Sequence, residues 1–394
     1  MNPAEECFPL AQEVRGKKRV LLVAGEASGD LHGADLVEAL KRQAPEVEVF
    51  GIGGTHLREA GMEVLVDTAN IAGMGLVELK DKLPALMRAY RLLKQILRSS
   101  PPDLLVLIDF PEFNLRLAKV AKRCGVPVLY YIGPQVWAWR RNRVHTIARW
   151  VDRLAVVFPF EPPWYAQAGC AAEFVGHPLV DRARPSRTRA ETLVGYGLDP
   201  AQKTVLLLPG SRSQEVRYLL PPLLRAAEIL GAKYQFVVAV APTLAVTDIE
   251  TVVNQAAVQI QVVSGDTYNL IHAADLALVA SGTATLETAL LGQPMVIVYR
   301  TAPLTYTLAR LLVRVPFIGM PSLIAGRKLV PELVQGEVTG ERIAAEAKRI
   351  LDTPAVREEM IAGLSEVRRQ LGEGGAAVRA AAIALEMLRA KPVV

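Results

Sequence analysis

The most restrictive feature of this 394-residue chain is a unit that recurs along it: a continuous apolar run, a break in glycine and small polar residues, then apolar residues at helical spacing. Arg19–Ala24 leads into Gly25-Glu-Ala-Ser-Gly-Asp30, and Leu31 to Gln43 follows with a helical period. Val47 to Phe50, Leu104 to Ile108 and Val128 to Ile132 end in Gly51-Ile-Gly-Gly54, Asp109-Phe-Pro-Glu-Phe-Asn114 and Gly133-Pro-Gln135. Strands apolar on both faces and alternating with helices predict a buried parallel sheet joined by right-handed crossovers. Residues 181–203 turn polar, and a second series opens at Thr204 to Leu208 and continues at Tyr234 to Val240, Leu276 to Val279 and Met295 to Tyr299. At about 150 residues per domain the length admits two or three domains. The expected architecture is α/β, with two doubly wound Rossmann-like domains and a cleft between them. It divides into a tail at 1–18, a first domain at 19–185, a second at 186–355, and helices at 356–394 that cross back, with a break near Gly372-Glu-Gly-Gly375.

Composition narrows the function classes. With 51% hydrophobic and 22% charged residues the chain is globular, neither disordered nor collagen-like. Lys+Arg 45 against Asp+Glu 40 leaves +5, too small an excess for a nucleic-acid-coating protein. Cys7, Cys124 and Cys170 form no C-x-x-C pair, which fits a reducing compartment without structural zinc. Residues 1–18 contain no apolar core of a secretory signal, and the longest charge-free run, Cys124 to Trp139, falls short of the ~18 apolar residues of a membrane span. A cytoplasmic protein, soluble or peripheral on a membrane, is the expectation.

Ligands of doubly wound sheets lie at the carboxyl ends of the strands, so the loops carry the chemistry. In Leu208-Pro-Gly-Ser-Arg212, Gly210 and Ser211 free backbone N–H groups at a helix start and Arg212 adds a charged donor, a combination suited to a diphosphate. Ser281, Gly282 and Thr283 form a second small-residue loop, and Glu287, one helical turn after Thr283, can accept both hydroxyls of a ribose. Asp109 ends an apolar strand, where desolvation raises a carboxyl pKa, and is the first candidate for a general base. Glu26, Asp30 and Glu78 are weaker candidates of the same kind, and Asp30 alternatively caps a helix starting at Leu31. Trp137 and Trp139 run into Arg140, Arg141, Arg143 and Arg149; on a strand-end loop with no nucleic-acid-binding motif around them, they fit an anionic amphipathic substrate or a membrane surface. Leu76 to Leu97 is amphipathic, either core-forming or presenting an apolar face to acyl chains. The five histidines have no ligand spacing and D-x-D is absent, so no metal and no cofactor are expected; the absence of G-x-S-x-G and of a dinucleotide fingerprint argues against a hydrolase and a nicotinamide enzyme. A base in one domain and a nucleotide in the other describe group transfer from an activated nucleotide.

These segments, with Met74-Gly-Leu-Val-Glu78, Val175-Gly-His-Pro178 and Leu323-Ile-Ala-Gly-Arg327, together resemble the lipid-A-disaccharide synthase family from about residue 19 to the C-terminus. The resemblance implies a GT-B fold and an inverting transfer from UDP-2,3-diacylglucosamine to 2,3-diacylglucosamine 1-phosphate, giving a β-1,6-linked disaccharide phosphate and UDP. It implies that Asp109 is the base and that Arg212 and Glu287 belong to the UDP site. Ser28, Glu78, Val77, Leu79, Asn114, Trp137, Trp139, Arg140 and Ser322 become candidates for acceptor and lipid contacts. A peripheral position on the cytoplasmic face of the inner membrane and a homodimer that exchanges C-terminal helices also follow from it. Ser322 stands where the family has Asn, and Phe110 and Glu112 depart from its Asp-Ala-Pro-Asp-Phe-Asn. Two alternatives stay open: another UDP-N-acetylglucosamine enzyme, a 2-epimerase or the peptidoglycan lipid-carrier glycosyltransferase, and a non-catalytic lipid- or nucleotide-binding relative.

Overall fold

The computed structural model describes residues 17–71, 76–137, 142–303, 306–307, 310 and 315–390, and at 76–81 the description extends to the backbone alone. The first series folds as β1 (Arg19–Ala24), β2 (Glu48–Gly53), β3 (Glu63–Asp67), β4 (Leu104–Ile108), β5 (Val128–Tyr131), β6 (Arg153–Val156) and β7 (Ala171–Phe174). These form one sheet in the order β3-β2-β1-β4-β5-β6-β7. The second series supplies β8 (Thr204–Leu208), β9 (Gln235–Val240), β10 (Ile260–Ser264), β11 (Leu276–Ala280), β12 (Met295–Tyr299) and β13 (Glu332–Val334). Their order is β10-β9-β8-β11-β12-β13, and all neighbours in both sheets pair in parallel. The order in which strands are added therefore reverses at one place in each sheet, β1/β4 in the first and β8/β11 in the second.

The strands missed by the apolar-run criterion are mostly those at or near sheet edges. β3, β7 and β10 are half-buried or exposed along most of their length, and such strands need no continuous apolar run. In the centre the rule holds strictly: Val20, Leu22 and Ala24 face one core and Leu21 and Val23 the other, all fully buried. The first of those faces is covered by helices Ala27–Gln43 and Ala376–Arg389, the second by Leu76–Ser99, Pro111–Arg123 and Arg143–Trp150.

Two expectations change in physical detail. Gly51 to Gly53 belongs to β2 rather than to a ligand loop; a Cβ at Gly51 would lie 2.1 Å from the Leu22 carbonyl oxygen, so the glycine serves close strand packing. The first helix starts at Ala27, so Asp30 is buried within its first turn and does not cap it. Its carboxylate instead accepts from the backbone N–H of Gly54 (2.5 Å), His56 (3.1 Å) and Leu57 (3.3 Å), closing the start of helix Thr55–Glu59. That role fixes a loop, and His56 Nδ1 lies 3.0 Å from the same carboxylate.

The chain passes between the domains twice, side by side. At these crossings His177 N–H donates to the Leu371 carbonyl (3.0 Å), Gly375 N–H to Asp181 Oδ2 (2.8 Å) and Arg379 Nε to the Val175 carbonyl (2.8 Å). Arg182 adds a bidentate pair to Asp35 at 2.9 and 2.7 Å. Helices Gly340–Asp352 and Pro354–Gln370 pack within the second domain, and the return to the first is made by Ala376–Arg389 against Ala27–Gln43.

Candidate active site

Each sheet places a loop pair at its reversal point, where neighbouring crossovers leave on opposite faces and open a crevice. In the second domain the pair follows β8 and β11. Gly210, Ser211, Arg212, Ser281, Gly282, Thr283 and Glu287 all line one cleft of about 620 Å³. Gly210 takes φ +115° and Gly282 φ +158°, and the former turn lets the chain enter helix Ser213–Leu230 with its first N–H groups exposed to the cleft. Ser211 N–H donates to Glu215 Oε2 (3.1 Å), and Arg212 Nη1 to Glu215 Oε1 (3.3 Å). A diphosphate would compete with the Glu215 carboxylate for the same donors, because both are anions at a helix N-terminus. Glu287 is mostly buried, which raises its pKa, and the Tyr268 hydroxyl donating to Oε1 at 3.0 Å works against that rise. The same cleft is lined by Pro242, Asp266, Thr267, Asn269 and, from the connection between domains, Arg184 and Ser186. Sequence reading missed these because they follow other strands and only the folded sheet brings them to one edge.

In the first domain Asp109 follows β4 and faces a smaller cavity of about 220 Å³ with Pro111, Gly133, Gln135 and Arg143. Asp109, Phe110 and Ile132 are non-glycine residues in the left-handed region, at φ 46°, 50° and 56°. Each such residue costs on the order of 1–3 kcal/mol and is retained where its surroundings over-determine it. Here the surroundings are visible: the Asp109 carbonyl accepts from Asn114 Nδ2 (2.6 Å) and from the Tyr130 hydroxyl (2.6 Å). Burial raises the Asp109 pKa, partly offset by the Phe110 N–H. The Phe110 ring stacks on Phe113 with centroids 5.3 Å apart and lies where a Cβ on Gly25 would be, 2.2 Å from its nearest atom. Gly25→Ala is therefore expected to push Phe110 and with it Asp109 out of place. The measurement is turnover beside UDP affinity, with turnover lowered at least tenfold and affinity unchanged.

Glu26 links the two sites. It follows β1, next to β4, and its pKa is raised first by burial, then by Asp109, and lowered by Arg212 from the other domain. Glu26 therefore lies within electrostatic reach of both Asp109 and Arg212.

Other candidate residues occupy different places from those expected. Asn114 is fully buried and clamps the backbone of residues 108 and 109, so it positions Asp109 instead of meeting an acceptor. Trp137 is 6% exposed, donates from Nε1 to Glu161 (3.2 Å) and packs edge-on against Phe158 and Phe160; it is a core residue and offers no platform to substrate or membrane. Its partner Glu161 is also held by the N–H groups of Val157 and Phe158, and burial pushes its carboxyl up to about 7. Ser322 is fully buried and accepts from Leu329 N–H at 3.3 Å, a structural bond in place of a substrate contact. Ser28 is exposed in the first turn after β1. Trp139 and Arg140 lie outside the described residues, as do the side chains of Val77, Glu78 and Leu79.

The family model for lipid-A-disaccharide synthetase matches residues 20–385. The lipid-A-disaccharide synthase of Geobacter metallireducens is 50% identical over 377 residues, covering 95% of this chain and 98% of the relative. Among solved structures, the UDP-GlcNAc 2-epimerase of Neisseria meningitidis bound to UDP-GlcNAc has a TM-score of 0.64 at 13% identity, covering 94% of this chain and 99% of its own. The calicheamicin glycosyltransferase CalG4 has a TM-score of 0.62 at 16% identity, covering 96% and 100%. These two establish the GT-B fold, which epimerases and glycosyltransferases share, and so do not choose between them. Similarity of sequence over both sheets and both reversal-point loops does choose: the chain belongs to the lipid-A-disaccharide synthase family.

Proposed function

We propose that this glycosyltransferase moves 2,3-diacylglucosamine from its UDP donor to 2,3-diacylglucosamine 1-phosphate, with inversion and without metal. The observation that carries the reading is a buried carboxylate, Asp109, in a cavity of one domain and a helix-terminus anion site, Gly210 to Arg212, in a cleft of the other, with Glu26 within electrostatic reach of both. Asp109 takes the proton of the acceptor 6-hydroxyl as its oxygen bonds to the donor C1 from the face opposite UDP. The C1–O bond breaks and its electron pair leaves on the β-phosphate, where the N–H groups after β8 and Arg212 receive the charge. Glu287 and its Tyr268 partner are assigned to the ribose hydroxyls.

We extend the proposal to the acyl chains. Helix Leu76–Ser99 exposes Leu83 (50%), Met87 (42%) and Leu92 (39%), large apolar side chains next to the stretch that contains Val77 and Leu79. Among the described residues no helix is long and apolar enough to cross a membrane, so contact with a bilayer would be peripheral. A position on the cytoplasmic face of the inner membrane and a homodimer complete the reading by family likeness.

The deciding experiment supplies the purified protein with both acylated substrates, with and without a chelator, and follows UDP and disaccharide by mass spectrometry. Equal disaccharide in both conditions is expected, and none in either would refute the transfer. Full turnover of unacylated UDP-N-acetylglucosamine to its 2-epimer would favour the epimerase instead. The raised Asp109 pKa also bears on the pH profile: the base works deprotonated, so kcat/KM rises with pH through a pKa higher than that of an ordinary aspartate and levels off above it. That acidic limb should vanish in Asp109→Asn.

A further inference from the structure

Helices Leu76–Ser99 and Pro111–Arg123 lie side by side on the outer face of the first sheet, and a groove of about 310 Å³ runs between them. Lys94 and Arg98 line it from the first helix, and Arg116, Lys119 and Arg123 from the second. Five cations line it and, among the described residues, no carboxylate does. Their neighbours are treated differently: Lys122 pairs with Asp152 and Arg143 with Glu112, whereas among the described residues no ion pair engages any of the five, and Lys119 Nζ lies 5.7 Å from the centroid of the Trp150 ring.

Helix dipoles account for Arg98 and Arg123, which lie in last turns, but not for Lys94, Arg116 or Lys119 further in. Lys94/Arg98 and Lys119/Arg123 are like-charge pairs four residues apart, unfavourable in an isolated helix. A counter-anion in the groove removes that conflict. The flank that carries the cations continues toward the other end of the helix as Tyr90, Met87 and Leu83, at the i, i+4, i+7, i+11, i+15 spacing of one face. Over ~22 Å, at ~1.5 Å per residue, the surface passes from apolar through aromatic to cationic. A free phosphate explains only the cationic end of such a stripe, while a lipid explains both ends.

We propose that this groove binds the phosphate of an anionic phospholipid headgroup and so orients helix Leu76–Ser99 on the bilayer. The assignment rests on the peripheral-membrane reading above, and the test separates the two. Full-length protein is floated with phosphatidylcholine vesicles and with vesicles carrying about 30 mol% phosphatidylglycerol. Wild type should prefer the anionic vesicles. Combining Lys94→Gln, Arg116→Gln and Lys119→Gln should weaken that binding about a hundredfold, about fivefold per charge, and Lys119→Arg should restore its share. Thermal melting checks the fold of the triple variant, and Lys119→Gln alone, at an exposed position, provides a second measurement if the triple variant does not fold. Leu83→Ser with Met87→Ser should reduce binding to both vesicle types.

Failure of wild type to bind any vesicle would overturn the membrane reading and this proposal with it. Equal binding to both compositions, or an undiminished preference in the charge variants, would overturn the headgroup site alone. Calorimetric binding of inorganic phosphate that the triple variant abolishes, with vesicle preference intact, would assign the groove to a free phosphate and also overturn it.

Discussion

Asp109→Asn is expected to lower kcat roughly 10²–10⁴-fold while leaving the dissociation constant for UDP unchanged. The substitution keeps shape and volume but removes the group that accepts the acceptor hydroxyl proton. The backbone is held independently of the side chain, because Asn114 and Tyr130 donate to the Asp109 carbonyl. Loss of activity therefore reports the carboxylate and not a collapsed turn. The two clamps give the converse experiment. Tyr130→Phe removes one of the two donors to a strained turn and should lower kcat by a smaller factor, about tenfold, with the acidic limb of the pH profile displaced as the carboxyl shifts in its pocket. Near-normal turnover in Asp109→Asn would remove the base assignment, and the family reaction would then need another proton acceptor, with Glu26 the next carboxylate along the crevice.

Arg212→Ala is expected to weaken UDP binding about tenfold by calorimetry. A charge-assisted hydrogen bond is worth ~1.5–3 kcal/mol when sheltered, and the low end applies because the Arg212 side chain is 57% exposed. Glu215 gives the sign test. Its carboxylate accepts from Ser211 N–H and Arg212, the donors assigned to the diphosphate, so Glu215→Gln should tighten UDP binding by a few fold. Weaker binding in Glu215→Gln would mean that the carboxylate organises the loop and does not compete with the ligand. Unchanged affinity in Arg212→Ala would take the diphosphate away from this helix terminus.

Some of the site was legible in the chain because its signals are local. A carboxylate directly after five apolar residues, and glycine and serine between a strand and a helix, carry their meaning within a few positions; Asp109 and Gly210 to Arg212 stand where those signals place them. Asn114 and Trp137 misled because polar and aromatic residues near a strand end look alike whether they face a ligand or the protein. Burial and the bonds to the Asp109 carbonyl and to Glu161 distinguish the two cases, and both depend on segments distant in sequence. Asp30 shows the same effect, with its partners 24 to 27 residues away.

The sequence by itself determined the alternation of strand and helix, the division into two series, and the family. Those follow from hydrophobic period and loop composition, which are short-range properties of the chain. Only the tertiary structure decided that β1 lies beside β4 and β8 beside β11. Strand order is set by long-range packing of crossover helices, and it is this order that gathers four separated loops into two candidate sites, one at the reversal point of each sheet. The same packing buries Trp137, clamps Asp109 in a strained turn, and gathers five cations from two helices into one groove.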